Sequence, residues 1–131
     1  APLMNTGGTI LTLTFQGSIS VMPNYNVMGV AKAALESAVR YLANDLGKDR
    51  IRVNAISPGP MRTLAGAAIG GARKTFRATE ANAPLRSNAT LDAVGGTAVY
   101  LASDAGAFTT GEIIFVDGGY HVIGMAQPEN L

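Results

Sequence analysis

Two short β-branched runs flank one long helical stretch, and that alternation restricts the chain to a small set of folds. Gly8–Phe15 reads Gly-Thr-Ile-Leu-Thr-Leu-Thr-Phe and opens on the second glycine of a Gly-Gly pair, which predicts a strand. A polar loop, Gln16–Pro23, follows. Across Asn24–Leu46, Val27, Val30, Ala31, Ala34, Leu35, Ala38, Val39 and Leu42 recur at three- and four-residue steps, which predicts a helix with one broad apolar face. Asp45-Leu46-Gly47 offers a glycine to close it. Ile51–Ser57 predicts a second strand, with Ile51, Val53 and Ala55 alternating. Ser57-Pro58-Gly59-Pro60 ends it, because proline cannot donate into a ladder. Thr63–Asn82 is rich in alanine and glycine, and short, mobile helices are expected there. Leu91–Ser103 predicts a further helix capped by Thr90, with Leu91, Val94, Ala98, Leu101 and Ala102 on its apolar side. Glu112–Asp117 carries Ile-Ile-Phe-Val, as expected for a strand buried on both faces.

The order is β-α-β-(α)-α-β. Strands alternating with helices pair in parallel through right-handed crossovers, so the fold class is an α/β layered sheet. Ligands of such sheets bind beyond the carboxyl ends of the strands. Here those ends are Phe15, the Ser57–Pro60 corner and Asp117. The 131 residues amount to one domain's length, with no repeat or linker dividing them. With 47% hydrophobic and 15% charged residues, the chain can bury a core and is not a disordered segment. Ten basic against nine acidic side chains leave a charge of +1, too little for a nucleic-acid-binding face. The absence of cysteine excludes disulfides, thiolate metal sites and a cysteine nucleophile, and no metal site is expected. No apolar run approaches the ~18 residues of a membrane span. No signal peptide precedes the first strand, so the expected location is the cytoplasm.

Tyr25 and Lys32 are the residues best placed for chemistry. They lie seven apart, which on a helix puts the second about 20° round from the first and two turns on. An ammonium nearby stabilises phenolate and helps a tyrosine hydroxyl share its proton with a carbonyl oxygen. The alternative is a half-buried tyrosine beside an unrelated, solvated lysine. Ser57–Thr63 reads either as a proline-stiffened turn or as a wall for a flat ring, with Thr63 donating to a phosphate or amide. Asp117-Gly118-Gly119-Tyr120 reads as a turn with glycines at positive φ. His121, the only histidine, is expected to be structural, with no nearby serine or carboxylate arranged with it as a triad. Asn88-Ala89-Thr90 matches a glycosylation triplet by chance. Arg73, Lys74 and Arg77 form a basic cluster that is either a solvated face or a docking patch for an acidic partner.

Taken together, these segments resemble a known family. Pro23-Asn24-Tyr25-Asn26-Val27-Met28-Gly29-Val30-Ala31-Lys32-Ala33-Ala34-Leu35-Glu36 resembles the active-site helix of bacterial NADH-dependent enoyl-acyl-carrier-protein reductases, divergent members of the short-chain dehydrogenase/reductase superfamily. Arg52 to Ala65 and Thr110 to Gly119 continue the likeness in order, across nearly the whole chain. Tyr-x6-Lys is its specific element. Most of the superfamily uses Tyr-x3-Lys, and the residue four after Tyr25 is Gly29, which cannot serve. The resemblance implies a three-layer Rossmann-like parallel sheet, of which residues 1–131 are the carboxyl-terminal portion. The active-site helix is 24–46 and the substrate-loop region 64–82. It implies hydride transfer from NADH to a trans-2-enoyl thioester in fatty acid biosynthesis, with Tyr25 hydrogen-bonding the enolate oxygen. Lys32 then binds the nicotinamide ribose, and Pro60, Met61 and Thr63 meet the rest of the cofactor. Phe15, Tyr25, Ala65 and Ala72 line the substrate, and Arg73 and Lys74 meet the acidic carrier protein. The long helix belongs to a homotetramer interface.

Departures fall around the acyl site. Phe15 stands where the family often has tyrosine, and Ala72 where it has a bulkier residue. Met61 replaces a common isoleucine and Pro58 a common alanine. These bear on pocket shape and inhibitor sensitivity. The family's glycine-rich dinucleotide loop has no counterpart: Gly66–Gly71 follows no strand, and Gly7-Gly8 precedes one. The resemblance therefore implies a partner, the amino-terminal half of the same protein, without which NADH is held poorly. The alternatives are a 3-oxoacyl reductase of the same superfamily, or a non-catalytic fragment inactive without that half.

Overall fold

The computed structural model describes residues 3–62 and 71–131. Its main elements are β1 (Gly8–Leu13), α1 (Asn26–Gly47), β2 (Ile51–Pro58), α2 (Ala72–Asn82), α3 (Leu91–Ala102) and β3 (Ile113–Val116). Among the described residues the strands form one parallel sheet in the order β1-β2-β3. Gly8–Leu13 register with Ile51–Ile56, and Ala55–Pro58 with Ile113–Val116.

Alternation along β2 sends Ile51, Val53 and Ala55 to one face of the sheet and Arg52 and Asn54 to the other. The first set packs against Val39 and Ala43 of α1, with Ile10, Leu46 and Ile113 around them. On the second face Thr9 and Arg52, which are register partners, both donate to the Leu101 carbonyl of α3. Helices thus cover opposite faces, and the layers run α1, sheet, α3. β2 is the central strand and is buried on both sides. Its one amide, Asn54, is fully buried yet satisfied. Its Nδ2 donates to Thr109 O at 2.8 Å, and its Oδ1 accepts from Glu112 N at 3.0 Å, which pins the approach to β3.

Several expectations change. The broad apolar face of α1 is not one buried face. The buried residues are Gly29, Glu36, Val39 and Ala43. Val27, Val30, Ala31, Ala34, Ala38 and Leu42 are exposed, Val30 by 73%. α1 ends at Gly47, but the left-handed residue that turns the chain back is Arg50, at φ 59°. On α3 only Leu101 is fully buried, and Leu91 is 75% exposed. β3 is half-buried along its length rather than covered on both faces. Residues 72–82 form one continuous helix instead of short pieces. Other readings hold. Thr90 caps α3, its Oγ1 accepting from Ala93 N at 3.1 Å. Gly118 and Gly119 turn the chain at φ 67° and 85°.

Candidate active site

Tyr25 is the N-cap of α1, one residue before the helix begins. It starts a stripe that continues at alternating four- and three-residue steps through Gly29, Lys32, Glu36, Val39, Ala43 and Leu46. That spacing follows one side of a helix. The stripe is apolar where it lies on the sheet and polar at its amino end, where it passes the carboxyl end of β1. Tyr25 as a residue is 8% exposed. Phe15 meets it edge-on, with centroids 5.1 Å apart and planes at 65°. Burial pushes the phenol above its ordinary pKa. The sequence reading expected an ammonium to favour the phenolate; in the structure desolvation favours the protonated phenol, a hydrogen-bond donor.

Lys32 is half-buried, and its Nζ donates to the Leu13 carbonyl at 2.9 Å, at the last residue of β1. An ammonium has three donors, so two others remain for a ligand beyond the strand end. Pro60 and Met61, both half-buried, follow β2 at the same end of the sheet. Met61 lines a concavity of about 220 Å³ with Arg62, Phe76, Ala89 and Leu91. The Arg62 guanidinium lies 5.0 Å from the Phe76 ring centre. Thr63 and Ala65 lie outside the described residues. Ala72 is half-buried at the first turn of α2. A Cβ on Gly71, just before it, would stand 3.9 Å from Asn24 Nδ2, so the start of α2 comes down beside the start of α1. Arg73, Lys74 and Arg77 are exposed on α2.

The structure therefore brings Phe15, Tyr25 and Lys32 together at the carboxyl end of β1, with Ala72 nearby. A larger concavity, about 390 Å³, lies elsewhere, between Leu85–Thr90 and Phe115–His121. Neither Tyr25 nor Lys32 lines it. There His121 pairs with the Asp117 carboxylate in a structural role, as the sequence reading expected. Its Nδ1 is 3.0 Å from both Asp117 oxygens, and its ring stacks on Phe115 at 3.9 Å. Asp117 also accepts from the backbone N–H groups of Gly119 and His121, so the pair closes a turn. Among the described residues no group of acidic and histidine side chains is arranged to hold a metal ion, and no helix is long and apolar enough to cross a membrane.

Sequence reasoning missed the residues that pack around Tyr25. Glu36, 4% exposed, accepts from Thr14 Oγ1 at 2.6 Å and Ser18 Oγ at 2.5 Å. Gly17 sits against the tyrosine ring, where a Cβ would fall inside van der Waals contact of Cδ1. The available signal was the stripe itself, since Glu36 falls in step with Tyr25 and Lys32.

The family model described as enoyl-(acyl carrier protein) reductase matches residues 1–121. The chain belongs to the enoyl-acyl-carrier-protein reductase family. It is 58% identical over its full 131 residues to the NADH-dependent reductase 2 of Rhizobium meliloti, of which it covers 49%. It is 56% identical over 125 residues to the NADH-dependent reductase FabI of Rickettsia conorii, covering 48% of that protein. The chain thus spans about half the length of the curated relatives it matches. Among solved reductases, the one from Anaplasma phagocytophilum in complex with NAD superposes with a TM-score of 0.91 at 59% identity. The match covers 96% of this chain and 48% of that one. The Bacillus cereus reductase, with NADP+ and an indole naphthyridinone, gives 0.92 at 55% identity over 95% of this chain and 48% of that one. These likenesses extend through the sheet and both helical layers and make the fold Rossmann-like.

Proposed function

We propose that this chain supplies the carboxyl-terminal, catalytic half of an NADH-dependent enoyl-acyl-carrier-protein reductase of fatty acid biosynthesis, working in the cytoplasm. The observation that carries the reading is the buried, protonated Tyr25 on one helical stripe with Lys32, where β1 ends. The donor set fits the nicotinamide-ribose end of a dinucleotide. Two ammonium donors suit a vicinal diol, and Pro60 and Met61 offer a flat wall beside it. When bound, that cofactor supplies the hydride for the β-carbon of a trans-2-enoyl thioester. Negative charge then develops on the thioester oxygen, and the hydroxyl of the buried Tyr25 donates to it. Lys32 orients the ribose and, through the Leu13 carbonyl, keeps that contact in register with the strand. Phe15 and Ala72 border the acyl group. Arg73 and Lys74 present positive charge to the acidic carrier protein. The exposed stripe of α1 is the homotetramer interface, and the amino-terminal half of the protein holds the remainder of the dinucleotide.

The test uses the whole reductase with crotonyl thioester and NADH. Tyr25→Phe is expected to lower kcat about a hundredfold with NADH binding unchanged, since one donor to the developing charge is lost. Lys32→Ala removes two charged hydrogen bonds worth ~1.5–3 kcal/mol each, so the Kd for NADH should rise at least about a hundredfold. Unchanged turnover in the first variant demotes Tyr25 to packing. Reduction of a 3-oxoacyl thioester but not of crotonyl thioester would make the protein a ketoreductase instead. Failure to bind NADH in the whole protein would make it a non-catalytic assembly element.

A further inference from the structure

Glu36 is a carboxyl group that the proposed chemistry does not use. It follows Lys32 by one turn on the same stripe. A lysine and a glutamate four apart on a helix ordinarily pair across its surface. Here neither takes part in an ion pair among the described residues. Each reaches instead to the chain that leaves β1. Lys32 holds Leu13, while Glu36 Oε1 accepts from Thr14 and Ser18 together. One oxygen therefore ties both ends of the segment Thr14–Ser18. That segment carries Phe15, edge-on against Tyr25, and Gly17, pressed on the tyrosine ring. The Gly17 carbonyl in turn lies against α1, where a Cβ on Gly29 would come within 2.7 Å of it. Segment, ring and helix leave each other no slack.

We propose that Glu36 is a positioning residue for Tyr25: it closes the Thr14–Ser18 segment into a brace that fixes the tyrosine ring. A buried carboxyl needs hydrogen bonds to be tolerated, and a well-packed apolar side chain at this place would cost less. What the carboxyl adds is a single acceptor shared by two hydroxyls, which sets the spacing of the segment's ends. The phenol oxygen lies far from the Tyr25 backbone, so a small tilt of the ring moves it out of line with the substrate oxygen. The inference deepens the reading of Tyr25 as the donor to the thioester oxygen and rests on it.

The test compares Glu36→Leu and Glu36→Gln in the whole reductase carrying 13C-ζ-labelled tyrosine, with Tyr25→Phe assigning the Tyr25 resonance. Glu36→Leu should lower kcat by about tenfold to a hundredfold. KM for NADH and for the thioester should change by less than about threefold, as expected when only transition-state contacts weaken. The Tyr25 resonance should titrate at lower pH as the ring loosens into solvent. Glu36→Gln keeps an oxygen acceptor in place and should recover most of kcat. If Glu36→Leu does not fold, Ser18→Ala, which removes one donor, should move kcat and the resonance the same way by less. An unshifted Tyr25 titration, or equal losses in the leucine and glutamine variants, overturns the proposal. A wild-type reductase inert toward crotonyl thioester overturns the enoyl-reductase reading instead, and the Tyr25 titration still decides whether Glu36 braces the ring.

Discussion

Tyr25 illustrates how one residue's environment selects its role. An exposed tyrosine titrates near 10. Burial raises the folded value above that, so folding favours the protonated phenol. The linked stability is fully present below about pH 10 and is lost as pH rises through the folded pKa. Urea denaturation at stepwise pH should therefore show wild type losing stability above pH 10 more steeply than Tyr25→Phe; parallel curves would contradict it. The proposed donor role depends equally on Gly17. Its φ is not left-handed, so glycine is present there for room rather than for backbone freedom. An added Cβ meets the ring of Tyr25 on one side, and Phe15 and the helix block retreat on the others. Gly17→Ala should cost about 1–3 kcal/mol of stability by overpacking. At temperatures where the variant stays folded, kcat should still fall about tenfold, because the ring must turn. Circular dichroism and NADH oxidation measured on the same sample check both effects. At this scale the sequence showed Tyr25 and Lys32 through their spacing. It hid Thr14 and Ser18, because hydroxyls that satisfy a carboxylate 18 or more positions away leave no local pattern, and it showed Glu36 only as a further member of the Tyr25 stripe.

Helix ends and faces show the same division between local and distant causes. The start of α3 was legible because capping is local: a threonine before an apolar run, with its oxygen on the N–H three residues on. Thr90→Ala should cost about 1 kcal/mol, read as a lower urea midpoint at unchanged slope. The end of α1 falls at Gly47, as read, but the left-handed reversal comes three residues later. It falls at Arg50, whose N–H donates to Gly47 O at 2.9 Å. Arginine in the left-handed region is strained by about 1 kcal/mol, so Arg50→Gly should stabilise the protein by up to that amount. A midpoint that does not rise would show that glycine's unfolded-state entropy offsets the relief. The faces of α1 were harder still. Val27, Val30 and Ala34 repeat with the period of a core stripe, but the sheet lies against Val39 and Ala43. Periodicity reports that a face leaves water and does not say what covers it. Parallel pairing, in contrast, followed from element order alone, because a long helix between two strands leaves few other ways to place them.

The whole molecule brings these two scales together. The 47% hydrophobic composition exceeds what this chain covers by itself. Val27, Val30 and Tyr41 stand open along α1, on the side away from the sheet. Single exposed apolar residues need no explanation, but a row of them along a helix whose other side is already packed marks a contact surface. The proposed tetramer covers that row with copies of the same helix, and the proposed amino-terminal half extends the sheet rather than this face. The two kinds of cover separate under one substitution. Val30 is exposed and touches none of Phe15, Tyr25 or Lys32 through any hydrogen bond or ring contact described above. Val30→Asp places a carboxylate in the row, and burying it without a partner costs several kcal/mol. If copies of the helix meet there, sedimentation of the whole reductase should shift from tetramer to smaller species. The fraction dissociated should grow on dilution, and NADH turnover should fall with it as α1 loses its support. If the row were instead covered within one polypeptide, the same substitution would lower the melting temperature at every concentration and leave the assembly's size unchanged. Dependence on protein concentration thus decides which surface the hydrophobic excess serves.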